Sequence, residues 1–101
     1  DKAAIEALPE AEFLSVFEGV PQSELSKAAV DAGIPIIDFL SDHTGILGSK
    51  GEARRALKEN SVSINKMKVG EEVIIGSGDL ISGKHILVQR GKKNYFLVHC
   101  S

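Results

Sequence analysis

The stretch Ser49-Lys50-Gly51-Glu52-Ala53-Arg54-Arg55-Ala56-Leu57-Lys58, followed after Glu59-Asn60 by Ser61-Val62-Ser63-Ile64-Asn65-Lys66-Met67-Lys68-Val69, switches its hydrophobic period from about 3.6 to 2. Ser49 and Glu52 have the spacing of a capping box, in which the hydroxyl accepts from the backbone three residues on and the carboxylate reaches back. A helix therefore starts at Ser49. At about 100° per residue, Ser49, Ala53, Ala56 and Leu57 fall on one arc and Lys50, Arg54, Lys58 and Arg55 on the next. The helix has an apolar seam and a cationic face, and the two small alanines let another helix approach closely. Beyond Asn60, Val62 and Ile64 alternate with Ser61 and Ser63, and Met67 and Val69 with Lys66 and Lys68. This reads as a hairpin turning at Asn65-Lys66, where Asn tolerates positive φ and Lys66 is a less comfortable choice than Gly.

Upstream, Ile36, Ile37, Phe39 and Leu40 form the apolar stripe of a short amphipathic helix, closed by Thr44 and Gly45. Joined through Gly45 to Gly48, the two helices predict an αα-hairpin. Earlier still, Ala3 to Leu8 and Glu10 to Phe17 read as helical with a break at Leu8-Pro9, and Phe13, Leu14 and Phe17 share a face. Gly19, Val20 and Pro21 end that segment. Ser23 to Lys27 is either extended or the start of a helix running to Ala32. Downstream, His85 to Arg90 and Asn94 to His99 flank Gly91-Lys92-Lys93 as a second hairpin with a cationic tip. The fold class is α+β, an αα-hairpin packed on a small, mostly antiparallel sheet. No polar linker or repeat interrupts the chain, so an acidic helical lead-in, residues 1–35, is expected to pack with residues 36–101 as one unit.

With 101 residues, 43% of them hydrophobic and 26% charged, the chain fits one small domain. A domain of this size buries only about 60–70% of its unfolded surface, which leaves little room for a substrate pocket and its supports, so a self-sufficient enzyme is disfavoured. No run approaches the roughly 18 apolar residues of a membrane span. Cys100 is the only cysteine, which excludes an internal disulfide and a cysteine metal cluster and suits a reducing compartment. The only methionine is Met67 and the chain begins at Asp1, as expected of a piece of a longer protein.

The net charge of −2 averages two unlike halves. Residues 1–48 set nine carboxylates against Lys2 and Lys27, a net of −7, whereas residues 49–101 set ten cations against five carboxylates, a net of +5. An anionic partner such as RNA would be drawn to one end and repelled from the other; the alternative is a dipolar surface with no partner. Similarly, the cationic helix face is either an RNA-binding surface or a solvated one. Four cations without an interleaved acid exceed what i,i+4 pairing would place there.

Catalytic signatures are absent. Gly78 to Lys84 has P-loop spacing, but His85 stands where Ser or Thr should hold Mg²⁺, and a strand rather than a helix follows. His43, His85, His99 and Cys100 lack metal-ligand spacing, and Cys100, next to the end, is expected to fray. No catalytic residue and no metal ligand is assigned.

Thr44 to Lys58, followed by Val62-Ser63-Ile64-Asn65 and Lys68-Val69, resembles the αL RNA-binding module named after a small-subunit ribosomal protein. Within that superfamily, Arg54-Arg55 after Ser-Lys-x-Glu-Ala, together with Arg90-Gly91-Lys92-Lys93-Asn94-Tyr95-Phe96-Leu97, resembles the C-terminal domain of bacterial-type tyrosyl-tRNA synthetases. Lys66 departs from the wider superfamily, which often has Gly there. The resemblance implies a cytoplasmic domain that binds the anticodon stem and long variable arm of tRNA(Tyr) and presents it to a catalytic domain elsewhere in the same chain. It implies no cofactor here, with ATP and Mg confined to that catalytic domain. It also implies a homodimeric parent, with the isolated domain monomeric. The residues it implies at the RNA are Lys50, Arg54, Arg55 and Lys58, which spacing independently groups. Ser49 is mainly a cap, with a phosphate contact as its second reading, and Asn65, Lys66, Lys68, Arg90, Lys92 and Lys93 form an outer set. Two other readings remain: a free-standing αL module on ribosomal RNA, or a protein-docking domain in which Phe13, Phe17 and the acidic half meet a partner.

Overall fold

Helix α1 (Lys2–Ala7) opens at Asp1, whose carboxylate accepts from the Ala4 N–H at 2.9 Å, and Pro9 separates it from α2 (Glu10–Val16). A proline fits just ahead of α2 because the first amides of a helix have no internal acceptor. The undecided stretch is strand and helix in turn: β1 (Gln22–Leu25) runs to Ser26, whose hydroxyl caps α3 (Lys27–Ala32). Gly33, at φ 89°, then turns the chain into β2 (Ile34–Pro35) and α4 (Ile36–Asp38). Helix α4 widens into a π-helical segment, Phe39–His43, where Thr44 Oγ1 donates to the Phe39 carbonyl at 2.7 Å. Next come α5 (Lys50–Lys58), β3 (Val62–Ile64), β4 (Met67–Lys68) and β5 (Ile74–Ile75). A 3₁₀ turn at Ser77–Asp79 leads to β6 (His85–Arg90) and β7 (Asn94–Cys100). This computed structural model describes residues 1–101.

Five strands form one sheet in the order β1-β7-β6-β3-β4, antiparallel except for the parallel β1–β7 pair, while β2 and β5 form a separate antiparallel pair. The period-2 alternation of the strands sends two apolar sets to opposite faces. Val62, Ile64, Ile86, Val88, Val98 and Cys100 join Val30, Ile36, Phe39, Leu40, Ala53, Ala56 and Leu57 in the main core. Leu87 and Leu97 face the other way, onto Ile5, Phe13 and Phe17. The sheet is thus a middle layer, with the αα-hairpin on one face and α1–α2 on the other. Fully burying a side chain such as Phe13 contributes roughly 1.5–3 kcal/mol, so the acidic segment is held by apolar contact. The α+β fold expected from the sequence is the fold observed.

One expectation is corrected. Cys100 does not fray: it is fully buried, its N–H donates to the Lys84 carbonyl at 2.7 Å, and β1 covers it in register with Leu25. Burial raises its thiol pKa, the opposite of what a nucleophilic cysteine needs. Ser63 is also buried, on the face of the sheet opposite to Val62 and Ile64.

Candidate nucleic-acid interface

The cap of α5 forms with one shift of register. Ser49 Oγ accepts from the Glu52 N–H at 3.1 Å, while Glu52 Oε2 accepts from the N–H of Gly48, one residue before the cap, at 2.8 Å. Ala53, Ala56 and Leu57 are buried against the preceding helix and the sheet. Arg54, Arg55 and Lys58 consequently point outward, all exposed, and none has a carboxylate within ion-pairing distance. Lys50 differs. Its Nζ lies 3.3 Å from Asp42 Oδ2 and 3.6 Å from Asp38 Oδ1, and the hydrogen bond and charge of Asp42, followed by those of Asp38, raise its pKa.

The hairpin tip joins this face through Ser61. Ser61 donates from both its N–H and its hydroxyl to the Ala56 carbonyl, at 3.1 and 2.9 Å, and accepts from the Gly91 N–H at 2.7 Å. Arg90, opposite Val62, shares the α5 side of the sheet, and Lys92 and Lys93 are exposed at the turn. The C-terminal end of α5 and the β6–β7 tip therefore make one cationic edge.

Other members of the expected outer set lie elsewhere. Asn65 is buried, only 1% exposed, so a surface role for its side chain is corrected. Its Oδ1 accepts from Leu87 N–H at 2.9 Å and its Nδ2 donates to the Asp79 carbonyl at 2.7 Å, tying the β3–β4 turn to β6 and the 3₁₀ turn. Lys66, at φ 71°, donates to Tyr95 Oη and sits 4.5 Å from the ring centroid. Lys68 pairs with Ser63, which pairs with Gln89, and that row faces α1–α2. Lys66 and Lys68 are thus on the side of the sheet away from α5. Of the aromatic residues, Phe13, Phe17 and Phe39 are buried, Phe96 packs against the main core, and Phe17 and Lys66 flank Tyr95.

The histidines are not solitary. The register of the second hairpin, centred on Lys92, sets His85 opposite His99, a pairing the sequence spacing already contained. His85 is buried between Phe13 and His99, with its Nε2 2.9 Å from Glu10 Oε2. That hydrogen bond, assisted by the Lys84 charge, holds the Glu10 carboxyl below its ordinary pKa. The three groups border a cleft of about 500 Å³ that also takes in Glu18, Glu24 and Lys84. No three His, Cys, Asp or Glu side chains are arranged to hold a metal ion. No helix is long and apolar enough to cross a membrane.

Residues 12–98 match the sequence profile of the family described as "Tyrosine--tRNA ligase SYY-like C-terminal domain". Among curated relatives, the chain is 47% identical over 95 residues to a tyrosine--tRNA ligase of Flavobacterium psychrophilum, covering 94% of this chain and 22% of that protein. It is 46% identical over 94 residues to that of Flavobacterium johnsoniae, covering 93% of the chain and 22% of the relative. It is 44% identical over 96 residues to that of Bacteroides thetaiotaomicron, covering 94% and 22%. The chain thus spans about a fifth of the length of these relatives.

Proposed function

Because the chain belongs to the tyrosine--tRNA ligase SYY-like C-terminal domain family, we propose that it is the tRNA-holding part of a tyrosine--tRNA ligase. It grips the anticodon stem and long variable arm of tRNA(Tyr) and turns the acceptor end toward a catalytic domain elsewhere in the same protein. ATP and Mg are used in that catalytic domain, in the cytoplasm, by a homodimeric parent.

The observation that carries this reading is the run of unpaired, exposed cations Arg54, Arg55 and Lys58, continued through Ser61 to Arg90, Lys92 and Lys93 at the hairpin tip. Each cation that neutralises a phosphate releases condensed counterions, so affinity comes from the backbone and falls steeply with salt. Arg suits this work because its planar fork engages phosphate oxygens in pairs. The buried or internally packed phenylalanines favour recognition of backbone and shape over base stacking. The net −7 of residues 1–48 repels RNA from the rest of the surface and orients the encounter.

The test is a salt titration of binding to a tRNA with a long variable arm and to one with a short arm, for the wild type and Arg54→Ala/Arg55→Ala. Preference for the long arm, with a slope made shallower by roughly 0.7–0.9 per contact removed, supports the proposal. Equal affinity for both tRNAs with the same loss in the variant points to a general RNA module of the ribosomal-RNA kind. Salt-insensitive binding unchanged in the variant points to a protein-docking domain.

A further inference from the structure

Lys50 is the first residue of α5, at the end of the helix where unpaired N–H groups and the macrodipole attract anions. A lysine there would ordinarily add to a phosphate site. In this fold carboxylates of the chain itself already occupy that end. Glu52 takes the Gly48 N–H, the Ser49 hydroxyl is engaged by the Glu52 N–H, and Lys50 Nζ lies between Asp38 and Asp42.

The arrangement follows from the αα-hairpin. Asp38 closes α4 and Asp42 lies in the π-helical segment that continues it, four residues on, so both carboxylates project from the first helix toward the same lysine on the second. Neither carboxylate has another cation within ion-pairing distance. Lys50 with Asp38, Asp42 and Glu52 makes a local net charge of −2, whereas Arg54, one turn along, has no acid against it. The pairs are half-exposed, and surface pairs contribute little to stability. Their effect is on what else approaches: a phosphate reaching Lys50 would have to lie beside two like charges or displace them.

We propose that Asp38 and Asp42 act as an internal substitute for phosphate at Lys50, closing the N-terminal end of α5 to RNA and confining the bound backbone to the stretch from Arg54 to the hairpin tip. The inference rests on the RNA-binding reading above and deepens it: a face open at one end and closed at the other seats a strand in one position, where a uniformly cationic face would let it slide. Asp38 and Asp42 are therefore positioning residues for the RNA, and Lys50 is not one of its contacts.

The experiment measures the salt dependence of binding to a long-variable-arm tRNA for the wild type, Lys50→Ala, Asp38→Asn/Asp42→Asn, the triple variant combining these, and Arg54→Ala/Arg55→Ala. Lys50→Ala alone should leave the slope unchanged. Asp38→Asn/Asp42→Asn should bind more tightly, with a slope steeper by roughly 0.7–0.9, the value of one new phosphate contact. In the triple variant the slope should return to that of the wild type. The proposal is overturned by any of three results. These are a Lys50→Ala slope flattened as in an arginine variant, a wild-type slope in the Asn variant, and a steeper slope that persists without Lys50, which would mean only general charge repulsion. If Arg54→Ala/Arg55→Ala also leaves the slope unchanged, the RNA face itself is wrong and the inference falls with it. A flattened slope there with unresponsive Asp variants removes this inference alone.

Discussion

Glu10 Oε2 and His85 Nε2, 75 residues apart in sequence, meet at 2.9 Å and join the acidic helical segment to the middle of the sheet. The bond stands at the edge of an apolar contact in which the Phe13 ring lies 5.7 Å from the His85 ring. Its energetic consequence is set by the direction of the Glu10 shift. The His85 hydrogen bond and then the Lys84 charge lower that carboxyl's pKa in the folded state.

A carboxylate with a lowered folded pKa adds stability above its unfolded pKa, near 4.3 for Glu, and that stability is lost as pH falls through the folded value. Urea midpoints of the wild type should therefore fall on acidification from about pH 5. Glu10→Gln should be less stable at pH 7, with a shallower acid-side decline. Parallel profiles for the two proteins would show that the contact does not couple to folding.

Asn65 makes a sharper structural prediction. Asn65→Ala removes both side-chain bonds, leaves the Leu87 N–H without its acceptor in the core, and keeps a β-carbon at φ 49° without the polar side chain that lets Asn tolerate that conformation. The sum is a destabilisation of about 3 kcal/mol. Asn65→Gly loses the same bonds but not the backbone tolerance, so it should be milder by about 1 kcal/mol. Urea unfolding gives both numbers, and the tRNA salt slope of either folded variant should match the wild type.

The local parts of this fold were legible and the non-local parts were not. Ser49, Glu52 and the Ala53-Ala56-Leu57 seam announce α5 because the cap and the 3.6 period lie within ten residues. Both hairpins are legible for the same reason. The parallel pairing of β1 with β7 joins residues 75 apart through a four-residue strand, and nothing local in Gln22–Leu25 specifies that partner. The two-residue strands β2 and β5 carry too little pattern to be seen. At the candidate interface, residue spacing groups the α5 cations. It does not reveal that Asn65 turns inward, because its partners Leu87 and Asp79 arrive from later in the chain. Nor does it reveal that Lys50 faces Asp38 and Asp42, which depends on how two helices cross.

The same seam separates stability from binding. Ala56 is fully buried where α5 meets the main core, so Ala56→Leu forces extra volume into a packed site and should cost about 1–3 kcal/mol. Lys58→Ala, on the exposed side of the same helix, should change stability by less than about 0.5 kcal/mol. Its effect should instead appear as a shallower tRNA salt slope. Thermal unfolding and salt titration on the two variants check both halves, and a stable Ala56→Leu would mean that the helices are not in close contact.

The two groups of outer cations make the most discriminating comparison. Lys92 and Lys93 sit at a tip tied to the end of α5 by the Gly91 N–H to Ser61 carbonyl bond, whereas the Lys68-Ser63-Gln89 row faces α1–α2. An RNA backbone running along α5 and over the tip passes the first pair and misses Lys68. Lys92→Ala/Lys93→Ala should therefore flatten the tRNA salt slope by up to roughly 1.4–1.8, and Lys68→Ala should leave it within error. Because these side chains are exposed, the folded stability of both variants should stay near that of the wild type. The reverse result, with Lys68 sensitive and the tip silent, would move the RNA to the other face of the sheet. That face also carries Glu10, Glu18 and Glu24 around the cleft at its β1 edge, which is the electrostatic reason to expect the RNA on the α5 side.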